Sequence, residues 1–366
     1  MRRSGGIVGF AYTISTLAFL FAVAGTVLYY GKVTFEGEGP LKGPVAVIIE
    51  KGTGLSGMAA ELERQGVIDD ANIFVVGVIV NGKKAAMKAG EYAIPAGASM
   101  ARVMAILSEG KAIQFKVTIP EGLTSAQVVE ILNAREDLTG AIDKIPDEGS
   151  LLPETYSYPR RTLRQDIINQ MQRAQATVLE DLWASRAPGL PIKTPQEAVI
   201  LASIVEKETG QPGERRQVAS VFINRLKRNM RLQSDPTIIY GITGGKGPLG
   251  RAIFQSDIDK PTAYNTYQIN GLPPTPIANP GRASLEATLD PASTDYLFFV
   301  ADGTGGHAFA VTLAEHTSNV ARWRQIERRM RREQEEKAAA EAAEKAQKPQ
   351  GGTIETRTQD LVLPGQ

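Results

Sequence analysis

The chain has no cysteine and only two histidines, His307 and His316, among 366 residues. The first absence excludes disulfides, thiolate metal sites, iron–sulfur clusters and thiol nucleophiles. The second leaves little from which to build a zinc site or a Ser-His-Asp triad, so no metal or cofactor is expected. A surplus of charge is missing as well: 41 basic against 40 acidic side chains give a formal charge of +1. Nucleic-acid binding relies on a basic surplus that displaces counterions, so no nucleic-acid partner is expected. Acid–base chemistry is left to carboxylates. The hydrophobic share of 42% and charged share of 22% are those of an ordinary globular protein, long enough for two or three domains.

One run lacks charge altogether. From Ile7 to Tyr30 the residues are mainly Ala, Val, Leu, Ile and Phe. As a helix this run would reach about 36 Å, enough for a hydrocarbon core of about 30 Å. Arg2 and Arg3 precede it and Glu36 and Glu38 follow. The positive-inside rule then puts residues 1–6 in the cytoplasm and the bulk of the chain outside, facing the periplasm from the inner (plasma) membrane. Ala22-Val23-Ala24 has the look of a signal-peptide cleavage site, but the apolar run continues to Tyr29-Tyr30, which suits an uncleaved single-pass anchor over 7–30.

The glycine-rich stretch 31–43 reads as a linker. A unit then recurs: Ile49-Glu50-Lys51-Gly52, Ile94-Pro95-Ala96-Gly97 and Ile119-Pro120-Glu121-Gly122. Each glycine is followed six and ten positions on by an aliphatic pair, Met58/Leu62, Val103/Leu107 and Val128/Leu132, the spacing of one helix face. Ser56, Ser99 and Thr124 are placed to cap those helices. Strand, glycine turn, capped helix: over 44–111 this resembles the opening of a LysM-like module, a small βααβ fold that binds cell-wall glycan in many proteins. Scaffolding and glycan binding stay open as its role, since no aromatic platform beyond Phe74 and Tyr92 stands out.

At the other end, Leu313–Lys345 has helical character, and 328–366 is a charged helix and disordered tail by composition. Between them, Thr194-Pro195-Gln196-Glu197 is a strong helix start, leading through Ala198–Val205, apolar on every face, into Glu206-Lys207-Glu208-Thr209. Carboxylates at the C-terminus of a buried helix are pushed towards the neutral form that a general acid needs. Helical phase does not choose between Glu206 and Glu208, and residues two apart diverge, so the two cannot form a glycosidase pair by themselves. Gly241–Gly247 fails as a phosphate loop, because Gly247 stands where a magnesium-binding Ser or Thr would be.

Ala202–Thr209, Val221–Leu226, Leu232-Gln233-Ser234-Asp235-Pro236-Thr237, Pro261–Tyr267, Gly271-Leu272-Pro273-Pro274 and Phe299–Gly303 together resemble the endolytic murein transglycosylase, or YceG-like, family. Leu152–Tyr156 looks like a variant of its upstream aromatic motif. The resemblance covers about 31 to 327 and implies an α+β architecture: transmembrane helix, small LysM-like module, and a larger mixed α+β catalytic domain over 112–327. It implies a lyase that cuts between N-acetylmuramic acid and N-acetylglucosamine inside nascent peptidoglycan strands. Water does not enter the products, which carry 1,6-anhydro-muramic acid ends. It names the first glutamate of the Glu-Lys-Glu-Thr motif, Glu206, as acid and then base. Glu154, Gln233, Asp235, Tyr240, Tyr264, Asn265 and Tyr267 are candidate substrate contacts. The partners so implied are glycan strands, the membrane and, as candidates, peptidoglycan synthases. A muramidase at the same site and a non-catalytic glycan-binding scaffold are the rival readings.

Overall fold

The structure is a computed structural model that describes residues 4–50 and 52–347. The disordered tail expected from 348 onward lies outside the described residues, as do the first three residues of the expected cytoplasmic segment. The chain divides into two compact units, Met1–Thr177 and Val178–Gln366.

The first unit opens with α1 (Ser4–Glu36), longer than the expected span. The helix continues six residues into the stretch read as linker because Phe35 is buried there, its ring 6.5 Å from that of Phe74. Its stretch Ser15–Glu36 is long and apolar enough to cross a membrane, and its most apolar window is not buried against the rest of the protein, which fits a single-pass anchor. Next come β1 (Val45–Ile49), α2 (Leu55–Arg64), α3 (Ala71–Val80), β2 (Gly90–Ile94) and α4 (Met100–Glu109). The strands β1 and β2 pair antiparallel, Val47 opposite Tyr92, so the order β-α-α-β closes on itself. Val47, Leu62, Phe74, Val78, Tyr92 and Leu107 fill its core. Ser99 caps α4 through the Arg102 amide, whereas α2 begins at Gly54 with no side-chain cap, so Ser56 does not serve as expected.

A second core of the same unit follows. It is built by β3 (Gln114–Thr118), α5 (Ser125–Asn133), β4 (Leu138–Thr139), β5 (Thr155–Pro159), β6 (Thr162–Leu163) and the first part of α6 (Arg164–Ala184). Thr124 and Gln127 form a full capping box on α5, and β3 pairs antiparallel with β5. Val117, Leu132, Tyr156, Tyr158, Ile168 and Met171 meet inside. The first unit thus holds two cores, and residues 112–327 fall in both units.

The second unit is mainly helical: α7 (Pro195–Glu208), α8 (Arg215–Lys227), α9 (Asp235–Thr243), α10 (Gln255–Asp259) and α11 (Arg282–Leu289), the hairpin β7 (Phe298–Ala301) and β8 (His307–Ala310), and α12 (Leu313–Gln347). Every residue of α7 from Ala198 to Val205 is buried, as its uninterrupted apolar sequence requires. Around it pack Val218 and Phe222 of α8, Leu232, Ile277, and Ala287 and Leu289 of α11. The glycine cluster after Tyr240 is a helix stop: Gly244, at φ +61°, closes α9 in the left-handed conformation.

Candidate active site

The site grows from the C-terminal end of α7. Thr194 caps the helix by accepting from the Glu197 amide at 3.1 Å, and Pro195 occupies its first position. The helix stops after Glu208, where Thr209 turns to extended backbone and its hydroxyl donates to the Val205 carbonyl at 2.6 Å. Glu206 and Glu208 leave this last turn in different directions.

Glu206 is drawn into the packing against α11. The backbone N–H of buried Gly281, the N-cap of α11, donates to its Oε2 at 2.9 Å, and an Arg215 nitrogen lies 3.8 Å from its Oε1. Only 7% of its side chain is exposed. Those partners, an amide at the N-terminus of α11 and a guanidinium at the start of α8, tie the side chain into the packing.

Glu208 meets the loop between α8 and α9. That loop is pinned by Arg225, whose Nε donates to the Leu297 carbonyl at 2.6 Å. The Nη1 of Arg225 reaches the Arg231 and Leu232 carbonyls and the Gln233 side-chain oxygen at 3.0–3.1 Å. Burial pushes the Arg225 pKa down, and the four acceptors compensate for that desolvation. Gln233 is held at φ +55°, a conformation uncommon for a residue with a side chain, and its N–H donates to the Thr266 carbonyl. The strained turn sets Ser234 so that its hydroxyl donates to Glu208 Oε1 at 2.7 Å. Asp235 follows in the first turn of α9 and accepts from the Tyr267 hydroxyl at 2.7 Å.

Glu208, Gln233, Asp235 and Tyr267 line one cavity of about 360 Å³, with Leu232 and Phe299 as apolar wall and Arg225 and His316 completing the lining. Burial raises the Glu208 pKa against the Ser234 hydrogen bond, and the neighbouring Asp235 charge raises it further. Burial and the Asp235 carboxylate likewise keep Tyr267 protonated. The arrangement therefore presents a carboxyl group whose ionisation is resisted beside a second carboxyl group, in a pocket with polar and apolar walls.

Of the expected residues, Gln233, Asp235 and Tyr267 come together, and they do so around Glu208 rather than Glu206. Tyr240 and Tyr264 pair with each other, rings 4.9 Å apart, and the Tyr264 hydroxyl is bonded to that of Thr275 at 2.7 Å. Asn265 is buried, its amide donating to the carbonyls of Asp257, Ile258 and Lys260 and accepting from the Tyr267 amide. It shapes the loop that delivers Tyr267. Glu154 lies in the first unit, exposed, just before β5. Among the described residues no group of three His, Cys, Asp or Glu side chains could hold a metal ion. Arg225, Ser234, Phe299 and His316 were not expected. A signal existed for Arg225, which shares a helix face with Val218, Val221 and Phe222, an apolar face where a cation must be buried and bonded.

A model of the YceG-like family matches residues 47–322. The chain is 30% identical over 328 residues to the endolytic murein transglycosylase of Bacillus subtilis (strain 168), covering 80% of this chain and 89% of that one. It is 28% identical over 366 residues to the protein of the same name from Streptococcus pneumoniae (strain D39), covering 85% of this chain and 65% of that longer protein. A crystal structure of a YceG-like protein from Listeria monocytogenes is 30% identical, spans 75% of this chain and 98% of its own, and superposes with a TM-score of 0.46.

Proposed function

This chain belongs to the YceG-like family, and from that premise we propose that it is an endolytic peptidoglycan lytic transglycosylase whose acid/base is Glu208. It cuts the bond between N-acetylmuramic acid and N-acetylglucosamine within nascent strands and leaves 1,6-anhydro-muramic acid ends. Such a reaction needs one carboxyl in two states. The acid protonates the glycosidic oxygen, and the resulting carboxylate takes the proton from the muramic acid 6-hydroxyl as that oxygen closes on C1. An intramolecular nucleophile needs no positioned water, so proximity replaces the second catalytic carboxylate of an inverting hydrolase.

One observation carries the choice of residue: Glu208, not Glu206, lines a cavity together with Gln233, Asp235 and Tyr267. The Ser234 hydroxyl fixes one oxygen of Glu208, while Oε2 has no hydrogen-bond partner among the described residues and is the oxygen offered to substrate. The Asp235 carboxylate, steadied by Tyr267, supports the positive charge that develops at C1. Glu206, which the family resemblance puts forward as the acid, acts in this reading as the bracket between α7 and α11.

The remaining parts fit a cell-wall enzyme at the membrane. The α1 span anchors it with the N-terminus in the cytoplasm and the cavity in the periplasm. The βααβ closure of β1 and β2 supports a LysM-like module ahead of the catalytic unit, with peptidoglycan synthases as candidate neighbours. A muramidase is the second reading, because Asp235 lies in the same cavity as Glu208 and could hold a water.

The test is digestion of uncrosslinked glycan strands by the full chain, with products read by mass spectrometry. Wild type and Glu206→Gln should give anhydro-muramyl ends, and Glu208→Gln should give none. Activity lost in Glu206→Gln and kept in Glu208→Gln would return the acid to Glu206. Reducing muramyl ends would make the protein a hydrolase, and uncut glycan with every variant would leave a binding scaffold.

A further inference from the structure

A larger concavity, of about 510 Å³, lies in the first unit between the last third of α1 and α3. The helix α3 reads Ala-Asn-Ile-Phe-Val-Val-Gly-Val-Ile-Val, apolar nearly all round. Such a helix belongs in a core or in lipid. Only part of it is used in the core: Phe74 and Val78 are buried, but Val76, Ile79 and Val80 are 56%, 52% and 78% exposed. Clustered apolar exposure of this kind marks an interaction surface.

Its surroundings say what covers it. Val76 and Val80 line the concavity together with Val27, Leu28 and Tyr30 of α1. Those three belong to the segment that fits a membrane span, so the α3 surface is continuous with one that such a span would place in lipid. Tyr29 and Tyr30 end the uncharged run, where aromatic residues sit at a bilayer interface. Charge agrees: exposed Lys32 lines the groove, and exposed Lys83 and Lys84 follow α3 directly. Asp69 and Asp70 stand at the opposite end of α3, and Glu36 is the one acidic residue lining the groove. Lysines flanking an apolar face match the phosphates of anionic lipids.

We propose that α3 is a second membrane contact, its Val76, Ile79 and Val80 face seated in the headgroup–acyl boundary of the bilayer that holds α1. The seat is the shallow one of an interfacial helix, about 5–10 Å deep. It rests on the reading of α1 as a span, and the test separates the two.

The chain has no cysteine of its own, so single-cysteine variants can carry an environment-sensitive fluorophore without background. Leu20→Cys, Val80→Cys and Lys116→Cys all replace exposed residues, on the span, on α3 and on β3. Each full-length variant is placed in vesicles of phosphatidylethanolamine and phosphatidylglycerol containing lipids brominated at shallow or deep chain positions. At position 80 the expected result is emission shifted to shorter wavelength and quenched most by shallow bromines. Position 20 should be quenched by deep bromines and position 116 by neither. Water-like, unquenched emission at 80 with quenching at 20 would overturn the α3 contact and leave the anchor standing. Unquenched emission at both would overturn the anchor as well. Disulfide cross-linking of unlabelled Val80→Cys between copies, without lipid quenching, would give the face to a second copy and overturn the proposal.

Discussion

Two carboxyl groups two residues apart on one helix end occupy opposite kinds of environment. On the Gly281 side, Glu206 meets an amide at a helix N-terminus and a guanidinium, and serves as a tie between elements. On the Ser234 side, Glu208 meets burial and the Asp235 carboxylate, and its charge is resisted. The first environment builds structure; the second resists ionisation. The difference teaches that a carboxyl's role is set by what its last turn faces, since sequence, helix and dipole are shared.

The sharpest test of that contrast is catalytic. Glu208→Gln should lower turnover by about 10²–10⁴-fold, the usual worth of a general acid/base, with the fold intact by circular dichroism. Its pH dependence follows from the sign of the shift. A raised pKa means that the folded protein resists ionisation, so stability is lost as pH rises through the folded-state value. Glu208→Gln removes that loss, so its melting temperature should match wild type in acid and exceed it increasingly above the ordinary carboxylate range. In wild type, activity should fall on the alkaline side as Glu208 loses its proton before substrate binds. A mutant no more stable at pH 9 than at pH 4, relative to wild type, would break the contrast.

The scaffold of the Ser234 side should come next in size. Lysine has no fork to reach four acceptors, so Arg225→Lys should cost about 2–3 kcal/mol, read from the urea midpoint. On the Gly281 side, Glu206→Ala leaves a buried N–H unpaired and should cost about 1–3 kcal/mol, with turnover per folded molecule nearly unchanged. Turnover that falls as far as in Glu208→Gln would erase the distinction. The smallest effect is expected outside both environments: Tyr264→Phe removes one hydroxyl pair with Thr275 and should cost about 0.5–1 kcal/mol in thermal melts.

Much of the fold could be read from local pattern. The strands at 45–49 and 114–118, the caps at Ser99, Thr124 and Thr194, and the buried helix from Pro195 all follow from alternation, capping chemistry and uninterrupted apolarity. The site was legible in its members more than in its grouping. Gln233, Asp235 and Tyr267 were named, yet their convergence on Glu208 depends on Arg225 and Thr266 holding a turn at positive φ, which no periodicity announces. Asn265 shows the converse: a polar residue in a suggestive loop turned out to be engaged with three carbonyls of its own neighbourhood. The helix α9 was hidden because Gln233-Ser234-Asp235-Pro236 reads equally as turn chemistry and as a helix start.

The junction of α1 with the βααβ module has a mechanical meaning. Phe35 lies so close over Gly77 that any side chain there would strike its ring, and Gly39 sits equally tightly on the Ala98 carbonyl. The helix α1 is therefore joined to the module as a spindle rather than as a leash. With α1 seated in a bilayer as proposed, pull or twist on it would pass directly into the module, whose distance from the membrane would be fixed by packing instead of by slack in a linker.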